Sequence, residues 1–103
     1  MSEHTILLIQ PTPKLDSRTW SDYESVADCL EAVCKIFEEH LRKSYPDEPQ
    51  IKYDITHLFD FIDRLADLTC LVHDEISNQY APQNKDWIKQ NLHTMLKNSA
   101  SLA

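Results

Sequence analysis

The hydrophobic pattern near the start of the chain predicts a β-strand over residues 4–10, which Pro11 ends. Side chains alternate between the two faces of a sheet, so Thr5, Leu7 and Ile9 share one face. The even positions form the opposite face, namely His4, Ile6, Leu8 and Gln10. Both faces carry bulky aliphatic residues, whereas a face in water would be mainly polar. We therefore expect helices to cover one face and a second chain to cover the other.

A long amphipathic helix is predicted next, after a short second strand over residues 17–20. Ser21 and Glu24 have the spacing of a capping box, which predicts that the helix begins there. It is expected to run to about Lys43. Apolar residues recur at helical spacing and predict its buried stripe, namely Val26, Leu30, Val33, Phe37 and Leu41.

The second half of the chain predicts a helix, a hairpin and a final helix. Asp54 is a candidate N-cap for a helix over about 55–65. Strands are expected over 68–73 and 76–80, with Pro82 closing the strand region. Since the chain lacks glycine, Asn78 is the best residue for a left-handed turn position. Asn84 is expected to cap a third helix over 85 to about 97.

The order of these elements predicts an α+β fold, with helices on one face of an antiparallel sheet. At 103 residues, one domain over 1–103 is expected, with a frayed tail after about residue 98. One such core is small, so a dimer interface would add useful burial.

Composition excludes several functional classes. The absence of glycine excludes the phosphate-binding loops of nucleotide enzymes, which need close backbone approach. The net charge of −7 argues against direct nucleic-acid binding, because phosphate contacts need an excess of Lys and Arg. The longest uncharged apolar run, residues 6–9, is too short to span a bilayer, so no membrane association is expected.

Metal binding and catalysis find little support in the residue spacing. Cys29 and Cys34 would lie about 140° apart around a helix, so they do not converge on one metal. We interpret the three cysteines as free, buried thiols. His4 and His73 could meet on neighbouring strands, although two polar residues at a sheet interface are the simpler interpretation. No cofactor is expected.

Five segments, taken in order, resemble the enhancer of rudimentary family over essentially the whole chain. They are His4–Pro11, Asp22–Val26, Leu58–Asp63 with Leu65–Leu68, Cys70–Val72 and Asn84–Lys89. The resemblance implies a four-stranded antiparallel sheet with three helices on one face and a homodimer formed by packing the open sheet faces together. It also implies a nuclear, non-catalytic adaptor in RNA processing, small-RNA biogenesis and transcriptional control. A role in pyrimidine metabolism or ligand binding is the alternative.

Thr19, Ser21 and Ser25 are each followed three residues later by an acidic residue, which is the motif of acidophilic kinases of the casein kinase II type. The family resemblance favours Thr19 and Ser25 as phosphorylation sites, whereas Ser21 has its capping role as a simpler explanation.

Candidate interface residues follow from the two-faced first strand and from the resemblance. His4, Ile6 and Leu8 are expected at the dimer interface. Short segments of RNA-processing or small-RNA-biogenesis proteins are expected to bind clefts between the two chains. The candidate cleft residues are Tyr23, Val26, Leu30, Thr69, Leu71 and Tyr80, for each of which ordinary core packing is the alternative.

Overall fold

The computed structural model describes residues 3–49 and 53–102, with side chains as far as residue 98. The chain runs in the order β1 (Thr5–Gln10), β2 (Thr19–Tyr23), α1 (Val26–Ser44), α2 (Ile55–Arg64), β3 (Asp67–Asp74), β4 (Gln79–Gln83) and α3 (Lys85–Leu102), with a short 3-10 turn at Leu15–Ser17. The strands form one sheet in the order β2-β1-β3-β4, and all neighbours are antiparallel. The predicted α+β class, a four-stranded antiparallel sheet with three helices, is confirmed.

The core lies between the helices and one face of the sheet. On the sheet side, Leu7, Leu68 and Cys70 are almost completely buried, and Leu7 is the register partner of Cys70. Leu65, directly after α2, also belongs to the core. The helices contribute the other core residues, namely Cys29, Leu30, Val33, Phe37, Leu58, Ile62, Ile88 and Leu92. The odd residues of β1 therefore face the helices, as its alternation predicts, and the even residues occupy the other face.

The predicted start of the first helix was wrong by one turn. Ser21 lies inside β2, which pairs with β1 over residues 19–23 rather than ending at Trp20. The N-cap is Ser25, whose Oγ accepts a hydrogen bond from the Asp28 amide at 3.1 Å. Ser21 and Ser25 both precede an acid by three residues, so the local pattern fits both positions, and pairing with β1 selects the later one.

The predicted position of the last strand was also wrong. β4 spans Gln79–Gln83, so Pro82 lies within the strand, opposite Leu71, instead of closing it. The strand is at the edge of the sheet, where one side of the backbone has no neighbour and a missing N–H is tolerated. Asn78 adopts the predicted left-handed conformation in the turn before β4, with φ of 55°.

The predicted caps of the two later helices are confirmed. Asp54 Oδ1 accepts from the amides of Thr56 and His57 at 3.0 and 3.3 Å, and His57 Nδ1 accepts from the Asp54 amide. The Asn84 side chain accepts from the Trp87 amide at 3.0 Å. α3 extends to Leu102, past the expected end near residue 97; the side chains of the tail lie outside the described residues.

Two lysines at the start of α3 bind the C-terminal end of α2. Lys85 Nζ donates to the carbonyl oxygens of Leu65 and Asp63 at 2.6 and 3.4 Å. Lys89 Nζ lies 2.9 Å from the Asp63 carboxylate, which raises the pKa of the lysine. These contacts give the basic edge of α3 a structural role, because cations stabilise the carbonyl end of a helix.

Candidate functional site

The sheet face turned away from the helices is the candidate site. Strand register places the even residues of β1 opposite Trp20 and Asp22 on β2 and opposite the odd residues of β3. The odd residues of β3 in turn pair with Tyr80 and Pro82 of β4. We call this surface the open face; it comprises His4, Ile6, Leu8, Gln10, Trp20, Asp22, Thr69, Leu71, His73, Tyr80 and Pro82.

The centre of the open face is apolar. Ile6 and Leu71 are register partners on the two middle strands, and both are half-buried in the isolated chain. Leu8 is 8% exposed but lies outside the core cluster on the helical side. Trp20, its partner on β2, is 59% exposed. A large aromatic left in water beside aliphatic residues is characteristic of a surface that binds another protein.

A row of hydrogen-bonded polar side chains borders this apolar centre at one end. His4 Nε2 lies 2.9 Å from the Asp22 carboxylate, and His4 Nδ1 lies 2.6 Å from the Tyr80 hydroxyl. A carboxylate can only accept, so His4 Nε2 is the donor to Asp22, and the tautomer that leaves Nδ1 without a hydrogen accepts a hydrogen bond from the Tyr80 hydroxyl. His73 stacks at a tilt on Tyr80, with ring centroids 5.2 Å apart. These residues link β2 to β4 across the face.

The opposite end of the open face is closed by Gln10 and Arg18. Gln10 is 6% exposed, and its Oε1 accepts from Arg18 Nε and Nη2 at 3.0 and 2.9 Å. The surface therefore has an apolar centre between two hydrogen-bonded polar ends, which is the usual organisation of a protein–protein interface.

The expected dimer-interface residues His4, Ile6 and Leu8 all lie on this face, although whether a second chain binds there stays a prediction. Sequence reasoning missed Trp20, Asp22 and Pro82. It placed Trp20 at the end of a strand and Asp22 inside a helix, so neither could be assigned to a sheet face. The sequence signal for the open face was the apolar alternation of β1. The residues that pair with β1 on the neighbouring strands complete that face.

The six candidate cleft residues lie on opposite sides of the sheet within one chain. Thr69, Leu71 and Tyr80 belong to the open face. Tyr23 and Val26 are half-buried and pack against the core, and Leu30 is 3% exposed within it. One chain therefore does not bring the six together, and for Leu30 the core-packing alternative holds within one chain. Their joint role in a cleft between two chains stays a prediction.

The phosphorylation candidates occupy different environments. Thr19 is exposed on β2, an edge strand. Ser25 is half-buried as the N-cap of α1, with its hydroxyl engaged by the Asp28 amide. A phosphate there would lie at the positive end of the helix dipole.

Two cysteines meet in the core, which spacing along the chain could not reveal. Cys29 Sγ on α1 lies 3.6 Å from Cys70 Sγ on β3, and both residues are fully buried thiols. Their hydrogen bond, together with burial, raises the pKa of the Cys70 thiol. Cys34 lies apart from the pair; burial, with Glu38 and Glu31 nearby, raises its pKa.

Metal-ligating side chains do not gather in groups of three or more among the described residues. His4 and His73 both contact Tyr80, so the sheet does bring these two histidines near one another. Within the same part of the chain, no helix has the length and apolar character needed to cross a membrane.

Comparison with known proteins gives one consistent result. The family model described as "Enhancer of rudimentary" matches residues 1–102. The chain is 55% identical over 97 residues to "Protein enhancer of rudimentary" of Drosophila virilis, covering 94% of this chain and 93% of the relative. It is 48% identical to the "Enhancer of rudimentary homolog" of Caenorhabditis elegans, covering 92% of each, and 40% identical to that of Arabidopsis thaliana, covering 97% and 92%. The chain belongs to the enhancer of rudimentary family.

Proposed function

We propose that the protein is a non-catalytic homodimeric adaptor whose two chains pack their open faces together. The observation that carries the proposal is the apolar centre of the open face, which includes Ile6, Leu71 and the largely exposed Trp20. An isologous dimer would set each apolar centre against the other. The polar groups at the two ends would form its rim.

Burial of the exposed side chains favours association. Burying a tryptophan removes roughly 150–250 Å² from water. For Trp20, which is 59% exposed, that leaves about 90–150 Å² to bury on association, or about 2–4 kcal/mol per chain. Ile6, Leu71 and Tyr80, which is 40% exposed, would add to this term in both chains.

In this adaptor, partner proteins would bind the symmetric clefts that the dimer forms between its two chains. The first helix of one chain, with Tyr23 and Val26 near its start, would border Thr69, Leu71 or Tyr80 of the other chain. Extended segments of disordered partners can bind such clefts without a folded domain. Two-fold symmetry would provide two equivalent sites for each dimer.

We infer that the partners are RNA-processing or small-RNA-biogenesis proteins and transcription regulators in the nucleus. Family membership supports this inference. The net charge of −7 favours contact with such proteins over direct contact with RNA.

The proposal is tested by affinity capture from nuclear extract with three proteins. These are the wild type, the open-face variant Ile6→Asp/Leu8→Asp, and a matched control, Leu15→Asp/Ile76→Asp. The control introduces the same substitutions at residues that are 73% and 98% exposed and lie off the open face. We expect RNA-processing proteins to be enriched on the wild type and the control and lost from the open-face variant.

Equal capture by all three folded proteins would refute the role of the open face. A saturable small-molecule ligand, with no enriched protein, would refute the adaptor role itself.

A further inference from the structure

A second concave surface lies on the helical side of the molecule, between the C-terminal half of α1 and the length of α2. Its cavity volume is about 540 Å³, which is within the size range of ligand and peptide sites. None of its lining residues belongs to the open face, so it would stay accessible if a second chain covered that face. We call it the α1–α2 cleft.

The floor of the α1–α2 cleft is apolar and aromatic. The half-buried Leu41 and Phe61 line it above the buried Phe37, whose ring centroid lies 5.2 Å from that of Phe61. His40 lies against Phe61 at 5.1 Å, and Tyr45, 57% exposed, lines the cleft at the end of α1. Such a floor can accept one bulky apolar side chain.

The rim of the cleft carries the cation of Arg64, which has no partner among the described side chains. The Arg64 guanidinium makes no hydrogen bond or ion pair with any residue whose side chain the structure describes. The imidazoles of His40 and His57 also line the cleft. Among the described lining residues, Asp60 is the one acid. A guanidinium binds a carboxylate through two parallel hydrogen bonds.

These groups favour an acidic peptide over a nucleic acid. Aromatic and cationic side chains also occur together in single-strand RNA sites, where a groove of several cations follows the backbone. Here Asp60 stands beside a single arginine, and the whole chain has a net charge of −7. A phosphate backbone needs several cations along its path, whereas a single carboxylate needs only the Arg64 guanidinium.

We propose that the α1–α2 cleft binds an extended segment of a partner protein, with a bulky apolar side chain on the aromatic floor and an adjacent Asp or Glu on Arg64. The cleft is complete within one chain, so this site does not depend on dimerisation. It would give each protomer a second attachment point on the opposite side of the sheet from the open face.

The test begins with a library of random 12-residue peptides displayed on phage and selected on the wild-type protein. We expect the enriched peptides to carry an acidic residue within two positions of Phe, Trp, Leu or Ile. Synthetic copies are then titrated by fluorescence polarisation against Arg64→Gln, Arg64→Glu and a matched control, Arg42→Glu. Arg42 is also exposed and in the last turn of its helix, but it does not line the cleft.

Affinity is expected to fall about tenfold or more for Arg64→Glu, less for Arg64→Gln, and to stay within twofold for Arg42→Glu. The monomeric open-face variant, where folded, should bind as the wild type does. Selection of peptides without acidic residues, or equal loss for Arg64→Glu and Arg42→Glu, would overturn the proposal. So would tighter binding of a 10-nucleotide oligouridine that Arg64→Glu abolishes, since that would make the cleft a nucleic-acid site.

Discussion

Replacing Ser25 by alanine should destabilise the protein more than replacing Ser21, although both serines fit the capping pattern. Ser25 Oγ accepts the Asp28 amide at 3.1 Å and satisfies one of the free N–H groups at the start of α1. Loss of such a cap costs about 1 kcal/mol, within a range of about 0.5–2 kcal/mol. Ser21 lies in β2, and its hydroxyl makes one exposed hydrogen bond with Tyr23 at 3.0 Å. Its loss should cost less than about 0.5 kcal/mol.

The assay is guanidinium unfolding followed by circular dichroism, with all variants at one protein concentration because association also shifts apparent stability. For a domain of this size, 1 kcal/mol corresponds to about 4–8 °C in Tm, so thermal scans provide a second measurement. Ser25→Asp is the control; aspartate caps as well as serine does, so its stability should match the wild type within about 0.5 kcal/mol. A loss for Ser21→Ala equal to or larger than that for Ser25→Ala would refute the assignment of the cap.

Three further predictions concern single contacts. Asn78→Ala should lower the free energy of unfolding by about 1–2 kcal/mol, because alanine tolerates the φ of 55° poorly, whereas Asn78→Gly should stay close to the wild type in the same unfolding assay. Burial, and then the hydrogen bond to Glu38, raises the pKa of Tyr53 to about 12. The protonated Tyr53 hydroxyl therefore stabilises the fold below pH 10, and this stabilisation is lost as the pH rises towards 12. In an ultraviolet titration, the Tyr53→Phe variant should lack the tyrosine ionisation near pH 12 that the wild type shows. An unchanged titration curve would contradict the assignment. Lys85→Met should cost about 1 kcal/mol, since the carbonyls of Leu65 and Asp63 lose their donor, and an unchanged unfolding midpoint would contradict this role.

Local signals made several elements predictable from sequence. Asp54 and Asn84 each precede an apolar helical stripe. Each caps its helix by accepting a hydrogen bond from a backbone amide two or three residues later. Such contacts depend only on neighbouring residues, so the pattern contains the necessary information. Asn78 was identifiable for a similar reason, because a chain without glycine has few residues suited to positive φ.

Features decided by distant residues could not be predicted in the same way. The extension of β2 through Ser21 depends on pairing with β1, which overrides an equally good local capping pattern. The tolerance of Pro82 depends on the edge position of β4, and strand order is not visible in the local sequence. The contact of Cys29 with Cys70 joins residues 41 positions apart. The open face combines the two kinds of feature. The alternation of β1 predicted its apolar character, whereas only the pairing of β1 with β2 shows that Trp20 and Asp22 belong to it.

The most direct test of the proposed homodimer is sedimentation velocity on the wild type and on open-face variants. The wild type should sediment with twice the 12.0 kDa mass of the chain. Ile6→Asp and Ile6→Asp/Leu8→Asp should shift it to monomer or, where circular dichroism shows loss of structure, to unfolded chain. Leu15→Asp/Ile76→Asp should remain dimeric. A stable dimer in the Ile6→Asp/Leu8→Asp variant, or a monomeric wild type at micromolar concentration, would contradict association through the open face.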